Sequence, residues 1–390
     1  MSSGLHTIAS PSARLPAIAI LEEGMREGLQ IEDAAIPVAE KIELLDALSA
    51  TGLRNIVVGS FVSPKWTPQM ERIDELVEGF APRDGVNYTA LALNAKGVER
   101  RAAYIPERLT LLDERPATRA HLCDVFAQRN TNRTRAQEIE SWPAVVAAAV
   151  DAGAREAQIG VGAAWGSNWT GPFSHADRMD LLQRQHDLWS EAGIAVTSVF
   201  FADPMGWNLP WLVAEDLEAV TARWPETRTV HLHLHDTRGM AGISLYEAIR
   251  VLDERITLIA DTSIGGMAGC PYCGNGRAAT LFATEDLAQM LEALGYRTGI
   301  DLDRLIDAVA LAERIVGHRL YGHVSKAGPR VEGERLYPMD LPFIETLEQA
   351  QHFRLGPDVH RGARSPWAQT ISSRQRDEIL EHTQSKGAHS

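Results

Sequence analysis

Short β-branched or apolar runs recur along the chain, each followed by a loop and then by a stretch whose apolar residues return every three or four positions. The runs open near Pro16 (PAIAIL), Asn55 (NIVVGSF), Asn87 (NYTALAL), Arg119 (RAHLCDVF), Glu156 (EAQIGVG), Ile194 (IAVTSVFF), Thr229 (TVHLHLH) and Ile256 (ITLIADTSI). The first intervening stretch, Val38 to Ala50, carries Val38, Ile42, Leu45 and Leu48 at helical spacing, and Gly52 supplies a stop signal. Strand then helix, repeated, predicts a parallel sheet inside a layer of helices. Eight such units, with no G-x-G-x-x-G turn after an early strand, predict a (β/α)8 TIM barrel rather than an open doubly wound sheet. The segment from Thr284 to about His318 reads as further helix covering the last unit. Beyond Tyr321 the composition shifts toward Pro, Gly, Arg and His. The expected organisation is a flexible tail over 1–14, a catalytic barrel over 15–320 and a small C-terminal extension over 321–390.

Composition narrows the partners. The 390 residues include Lys+Arg 38 and Asp+Glu 52, a formal net charge of -14, and no basic tract of the kind that phosphate backbones require. Nucleic acid is therefore not expected. No run approaches the roughly 18 apolar residues of a membrane span, and the N-terminus lacks the basic, apolar and small-residue order of a secretory signal. The expectation is a cytoplasmic protein without a membrane partner. Cys 3 is too sparse and odd a count for a disulfide framework. The thiols are left for chemistry.

Reactive groups in such barrels sit at the C-terminal ends of strands and in the loops that follow. Four of those loops carry candidates. The first strand runs into GMREGLQ, with Arg26, Glu27 and Gln30; the second runs into SFVSPKWTPQM; the seventh ends HLHLHD; the eighth runs into GGMAGCPYCGNG. Alternation puts His231, His233 and His235 on one strand face, about 6.6 Å apart per pair. Imidazoles with a carboxylate from a neighbouring strand make a mixed N/O site for a divalent ion. Glu27 can anchor a hard cation, and Arg26 beside it can polarise a carbonyl or thioester oxygen and hold enolate charge. Cys270 and Cys273 form C-P-Y-C, the string of a dithiol redox centre. Its place in a Gly-rich loop after an eighth strand favours a lid that delivers one protonated thiol to a carbanion.

Together these loops resemble the metal-dependent lyase and synthase superfamily of barrels, and within it the 3-hydroxy-3-methylglutaryl-CoA lyases. The strings that carry the likeness are REGLQ (Arg26 to Gln30), SFVSPKWTPQM (Ser60 to Met70), LALNAKG (Leu91 to Gly97), HLHDTRG (His233 to Gly239), GCPY (Gly269 to Tyr272) and ATEDLAQMLEALGYRTGIDLDRL (Ala283 to Leu305). The resemblance spans roughly Ala17 to Ile315. It implies a divalent cation, Mg or Mn before Zn, Co or Fe, held by Glu27, His233, His235 and an amide ligand, for which Asn275 is the candidate. It implies catalytic roles for Arg26, for Cys270 as proton donor and for His233 as proton relay, with Gln30, Ser60, Lys65 and Asn94 toward the substrate. The implied reaction is retro-Claisen cleavage of a 3-hydroxy acyl-CoA to an acyl-CoA and a keto acid by a homo-oligomer, dimer or tetramer. The alternatives are a condensing synthase using acyl-CoA and a 2-oxo acid, and a non-catalytic barrel switched by a Cys270–Cys273 disulfide.

Three departures from the family pattern stand out. The acidic residue after Arg26 is Glu where the lyases usually have Asp. The second strand carries Ile56, Val57, Val58 and Gly59 where a carboxylate that braces the Arg is expected. The loops after the fifth and sixth runs, WGSNWTG and DPMGWNLPW, put tryptophans where a substrate enters. The last suggests a bulkier acyl group.

Overall fold

The computed structural model describes residues 4–113, 115–267, 281–336 and 346–360. Eight parallel strands form its framework: β1 (Ala17–Glu22), β2 (Asn55–Ser60), β3 (Asn87–Leu91), β4 (Ala117–His121), β5 (Glu156–Gly162), β6 (Ala195–Asp203), β7 (Thr229–Leu234) and β8 (Thr257–Ser263). Their hydrogen-bonded order is β3-β2-β1-β8-β7-β6-β5-β4. That is the cyclic order of a (β/α)8 barrel, with β1 paired to β8 and the ladder ending at β3 and β4. The TIM-barrel expectation holds, and each strand begins within two residues of its apolar run.

Helices alternate with the strands as the periodicity predicts. α1 (Val38–Ser49) follows β1, α2 (Ile73–Gly79) follows β2 and α3 (Ala95–Ala102) follows β3. Three helices, α4 (Asp124–Thr131), α5 (Arg135–Glu140) and α6 (Trp142–Asp151), fill the connection after β4. α7 (His175–Glu191), α8 (Pro210–Arg223) and α9 (Ala241–Val251) follow β5, β6 and β7, and α10 (Thr284–Ala293) and α11 (Leu302–Val316) follow β8. One face of each strand packs outward against these helices. Ile159, Val161, Val199, Phe201, Val230 and Leu232 lie there in one continuous core. Burying these side chains is the main force closing the layers.

The inward face is divided. Ala19, Leu21, Val57 and Ile259 pack with Leu112 and Leu5 into a separate apolar cluster that fills the interior under β1, β2 and β8. Under β4 to β7 the inward face carries polar side chains, among them Arg119, Gln158, Ser198, His231 and His233, with Phe200 between Arg119 and His231. The segment ahead of β1 is tied to strand ends: Asn55 Nδ2 donates to the His6 carbonyl at 2.9 Å, and Ile8 bridges Ile18. Chain compactness separates a unit over Met1–Ser325 from a unit over Lys326–Ser390. In the latter, Leu347–Ala350 and His352–Leu355 form single helical turns, the first capped by Thr346. No described helix is long and apolar enough to cross a membrane.

Candidate active site

The turn after β1 is built around a buried carboxylate. Glu22 Oε1 accepts from the backbone N–H of Gly24 at 2.7 Å and of Ile264 at 2.9 Å, and Thr284 donates to the other oxygen. Burial pushes the Glu22 carboxyl up to about 7. Only glycine fits at 24, since a Cβ there would sit 2.5 Å from Glu22 Oε1 and 2.7 Å from Ile264. The locked turn presents Arg26 and Glu27 from the end of β1. Opposite them, the end of β7 is fixed by Asn208, whose Nδ2 donates to the His235 carbonyl at 3.0 Å and to Asp203 at 2.6 Å.

Glu27, His233 and His235 meet there, with ligand atoms all within 4.8 Å of one another. The His233 and His235 Nε2 atoms face each other at 3.3 Å, and Glu27 Oε1 lies 3.9 Å from His235 Nε2. His233 Nδ1 is engaged by Asp261 Oδ2 at 2.8 Å, which fixes its Nε2 as the nitrogen turned into the cluster. Two imidazole nitrogens and a carboxylate oxygen converging on one point in a buried place suit a divalent cation in chemistry and spacing. His231, on the same strand face, turns aside and bonds Asp261 Oδ1 at 2.7 Å.

The charges are tightly paired. Burial alone would raise the Glu27 carboxyl, but Arg26, then His233 and His235, outweigh it and hold it below the ordinary carboxylate value. Burial would likewise lower His233, yet Asp261 holds it above the ordinary value, and Asp261 is itself held down chiefly by His231 and His233. Arg26 donates through Nε to Glu23 at 2.7 Å and through Nη1 to Glu27.

Glu23 answers the second departure. The guanidinium does have a carboxylate brace, from β1's own end rather than from β2, where Val57 belongs to the apolar floor. Glu23 and Asp261 are the site residues that the sequence reading passed over. The available signals were an acid beside the Arg–Glu pair and a lone acid inside the apolar run ITLIADTSI.

Other expected positions have different surroundings. Ser60 is buried at the end of β2, Gln30 lies in a single helical turn over Leu29–Ile31, and Lys65 rests its Nζ 5.1 Å above the exposed Trp66 ring. Asn94 caps α3, accepting from the Gly97 N–H at 2.9 Å. None of the four is hydrogen-bonded to the cation cluster. Trp165, expected at the mouth, is buried and donates to Asp216 at 2.8 Å, whereas Trp211 is exposed. Cys123 is buried as the N-cap of α4. Cys270, Cys273 and Asn275 lie outside the described residues.

Fold and site define a (β/α)8 barrel with a carboxylate–imidazole cluster, suited to a divalent cation, at the C-terminal ends of β1 and β7. Comparison with known proteins takes this further. The HMGL-like family model matches residues 17–312, and the chain belongs to that family. A Pseudomonas aeruginosa protein described as 3-hydroxy-3-isohexenylglutaryl-CoA/hydroxy-methylglutaryl-CoA lyase is 34% identical over 75% of this chain and 90% of its own length. The mouse mitochondrial hydroxymethylglutaryl-CoA lyase is 31% identical over 75% of this chain and 83% of its own. Among solved structures, the hydroxymethylglutaryl-CoA lyase of Pseudomonas aeruginosa superposes with TM-score 0.63 at 30% identity, covering 82% of this chain and 98% of that one. An HMG-CoA lyase of Acinetobacter baumannii, in complex with coenzyme A and 3-methylmalate, gives 0.65 at 28%, covering 86% and 100%. Membership of this family implies a divalent metal, and the donor set found here fits one.

Proposed function

We propose that the protein is a metal-dependent carbon–carbon lyase that cleaves a 3-hydroxy-3-methylglutaryl-CoA-like thioester to an acyl-CoA and a keto acid. The observation that carries the reading is the convergence of Glu27, His233 and His235 with Arg26 ion-paired to Glu27, at the strand ends where this family works. Glu27, His233 and His235 would hold the cation, with Asn275 as the amide ligand and Mg or Mn as the ion. When bound, that ion supplies Lewis acidity toward the substrate's hydroxyl and carboxylate oxygens.

The chain's own groups account for the remainder. The hydroxyl gives up its proton, with His233 as relay, and the oxygen's electrons form the ketone as the adjacent carbon–carbon bond breaks. The released pair is delocalised into the thioester as an enolate, whose oxygen Arg26 stabilises. Glu23 keeps the guanidinium aimed through its Nε and Glu27 holds Nη1, leaving Nη2 for substrate. Cys270 then protonates the carbanion. Gln30, Ser60, Lys65 and Asn94 are the residues assigned to the substrate on the family resemblance, and the exposed Trp66 and Trp211 are candidates for contact with a bulky acyl part.

The test is turnover. Metal-reconstituted protein is incubated with 3-hydroxy acyl-CoA thioesters, and separately with acetyl-CoA plus 2-oxo acids, and products are followed by mass spectrometry. Cleavage in the first set, lost in Glu27→Ala and Cys270→Ala, is the expected result. Condensation in the second set without cleavage in the first would replace this reading with that of a synthase.

A further inference from the structure

The lumen holds a cation that the reaction above does not use. Arg119 of β4 is in register with Gly160, Phe200 and His231 across β5, β6 and β7. That row lies one inward-facing position below His233, roughly 6.6 Å along the strand. Its guanidinium stacks on the Phe200 ring, 4.1 Å from the centroid, and donates to the Gln158 side-chain oxygen. Phe200 in turn meets His231 edge-on at 4.9 Å. Gly160 makes this crossing possible, since a Cβ there would press at 3.1 Å on Phe200 and 3.2 Å on Arg119.

Arg119 has only neutral partners. No carboxylate lies within ion-pair distance among the described residues; Asp261 and Asp113 act on it only at longer range, and they are taken by His231 and His233 and by Arg115. Gln158 is also engaged, donating to Ser198 at 3.0 Å. Yet Arg119 is solvent-accessible although it faces the interior. An open space therefore adjoins it, whereas the lumen under β1, β2 and β8 is packed shut by the Leu112 cluster. An alkyl group gains nothing beside a guanidinium. A carboxylate gains two parallel charge-assisted hydrogen bonds.

We infer that Arg119 selects the substrate, binding a carboxylate carried on the third carbon of the acyl chain, where 3-hydroxy-3-methylglutaryl-CoA has its methyl. This rests on the lyase reading for the placement of the hydroxyl-bearing carbon at the Glu27–His233–His235 cluster, from which such a substituent descends toward Arg119.

The experiment compares two thioesters that differ only there: 3-hydroxy-3-methylglutaryl-CoA and the analogue with carboxylate in place of methyl. Both kcat/KM and the dissociation constant, from competition, are measured for wild type, Arg119→Met and Arg119→Lys, with cation content recorded to show that each variant is folded. Wild type should favour the carboxylate thioester by about tenfold or more. Arg119→Met should shift that ratio roughly 30-fold or more toward the methyl thioester, and Arg119→Lys should fall between. Preference for the methyl thioester in wild type, or a ratio unchanged in Arg119→Met, overturns the inference. If neither thioester is cleaved, the lyase reading fails, and the ratio of dissociation constants still decides the role of Arg119.

Discussion

Two buried charge networks occupy this barrel, and they differ in where their atoms converge. Outside the sheet, Asp216 of α8 accepts from Arg178 Nε at 2.5 Å and from Trp165 at 2.8 Å, with His175 Nδ1 at 2.7 Å. Its acceptors are filled by donors, and only Arg178 Nη2 is left without a partner. Inside, Glu27, His233 and His235 aim acceptors at one another. The outer network is complete as protein and fastens α7 and α8 to the loop after β5. The inner one gathers two imidazole nitrogens and a carboxylate oxygen on one point, a donor set that fits a divalent cation. Burial and charge alone do not mark a functional site; metal-ligating atoms of three side chains converging on one point do.

The largest expected effects break the inner network. Glu27→Ala should lower kcat/KM by roughly 10³-fold or more, because it removes a ligand and leaves Arg26 with one partner fewer. Steady-state assay at saturating cation checks it. Asp261→Asn should weaken cation affinity by about 10 to 100-fold, since Asp261 fixes the tautomer and orientation of His233. Isothermal titration with Mn reads this directly.

The outer network should respond in the opposite currency. Asp216→Asn is expected to destabilise the fold by about 3–5 kcal/mol, because Arg178 stays buried without its counter-charge, while cation affinity holds within about twofold. Denaturant midpoints and titration of the same sample separate the two. If Asp216→Asn weakens the cation site as much as Asp261→Asn does, the two networks are not distinct.

The smallest effect is a pH slope. Glu22 has an ordinary value of 4.5 and sits at about 7 in the fold because it is buried. Between those values the folded state keeps a proton that the unfolded state has lost, so stability falls as pH rises from about 4.5 to 7 and levels off above. The loss is on the order of 3 kcal/mol. Glu22→Gln should flatten this slope in unfolding curves collected across that range. Glu285, likewise pushed up to about 7 by burial, contributes a parallel slope that remains in the variant.

The same contrast explains what could be read from sequence. The strands and α1 were legible because their burial is one-sided or complete, which leaves a period in the chain. The convergence of Glu27, His233 and His235 was legible because R-E and H-x-H stand at the ends of strands that the barrel brings together. Glu23 and Asp261 were not, because their roles exist only through neighbours distant in sequence: Asp261 meets His231 and His233 across the β7–β8 ladder. The Arg brace was sought on β2 because the resemblance put it there. Space rather than position decides that role, and a carboxylate one strand over reaches the same guanidinium. Trp165 misled for a similar reason, since a loop residue can fold back outside the sheet, onto Phe201, to serve Asp216.

The central claim is that the lumen cluster is a cation site that this chain builds from Glu27, His233 and His235. Binding of Mn to the metal-free protein, followed by electron paramagnetic resonance, tests it without any substrate. One Mn per chain in wild type and in Asp216→Asn, and none at the same concentration in His235→Ala, is the result expected. Unchanged Mn binding in His235→Ala would contradict it.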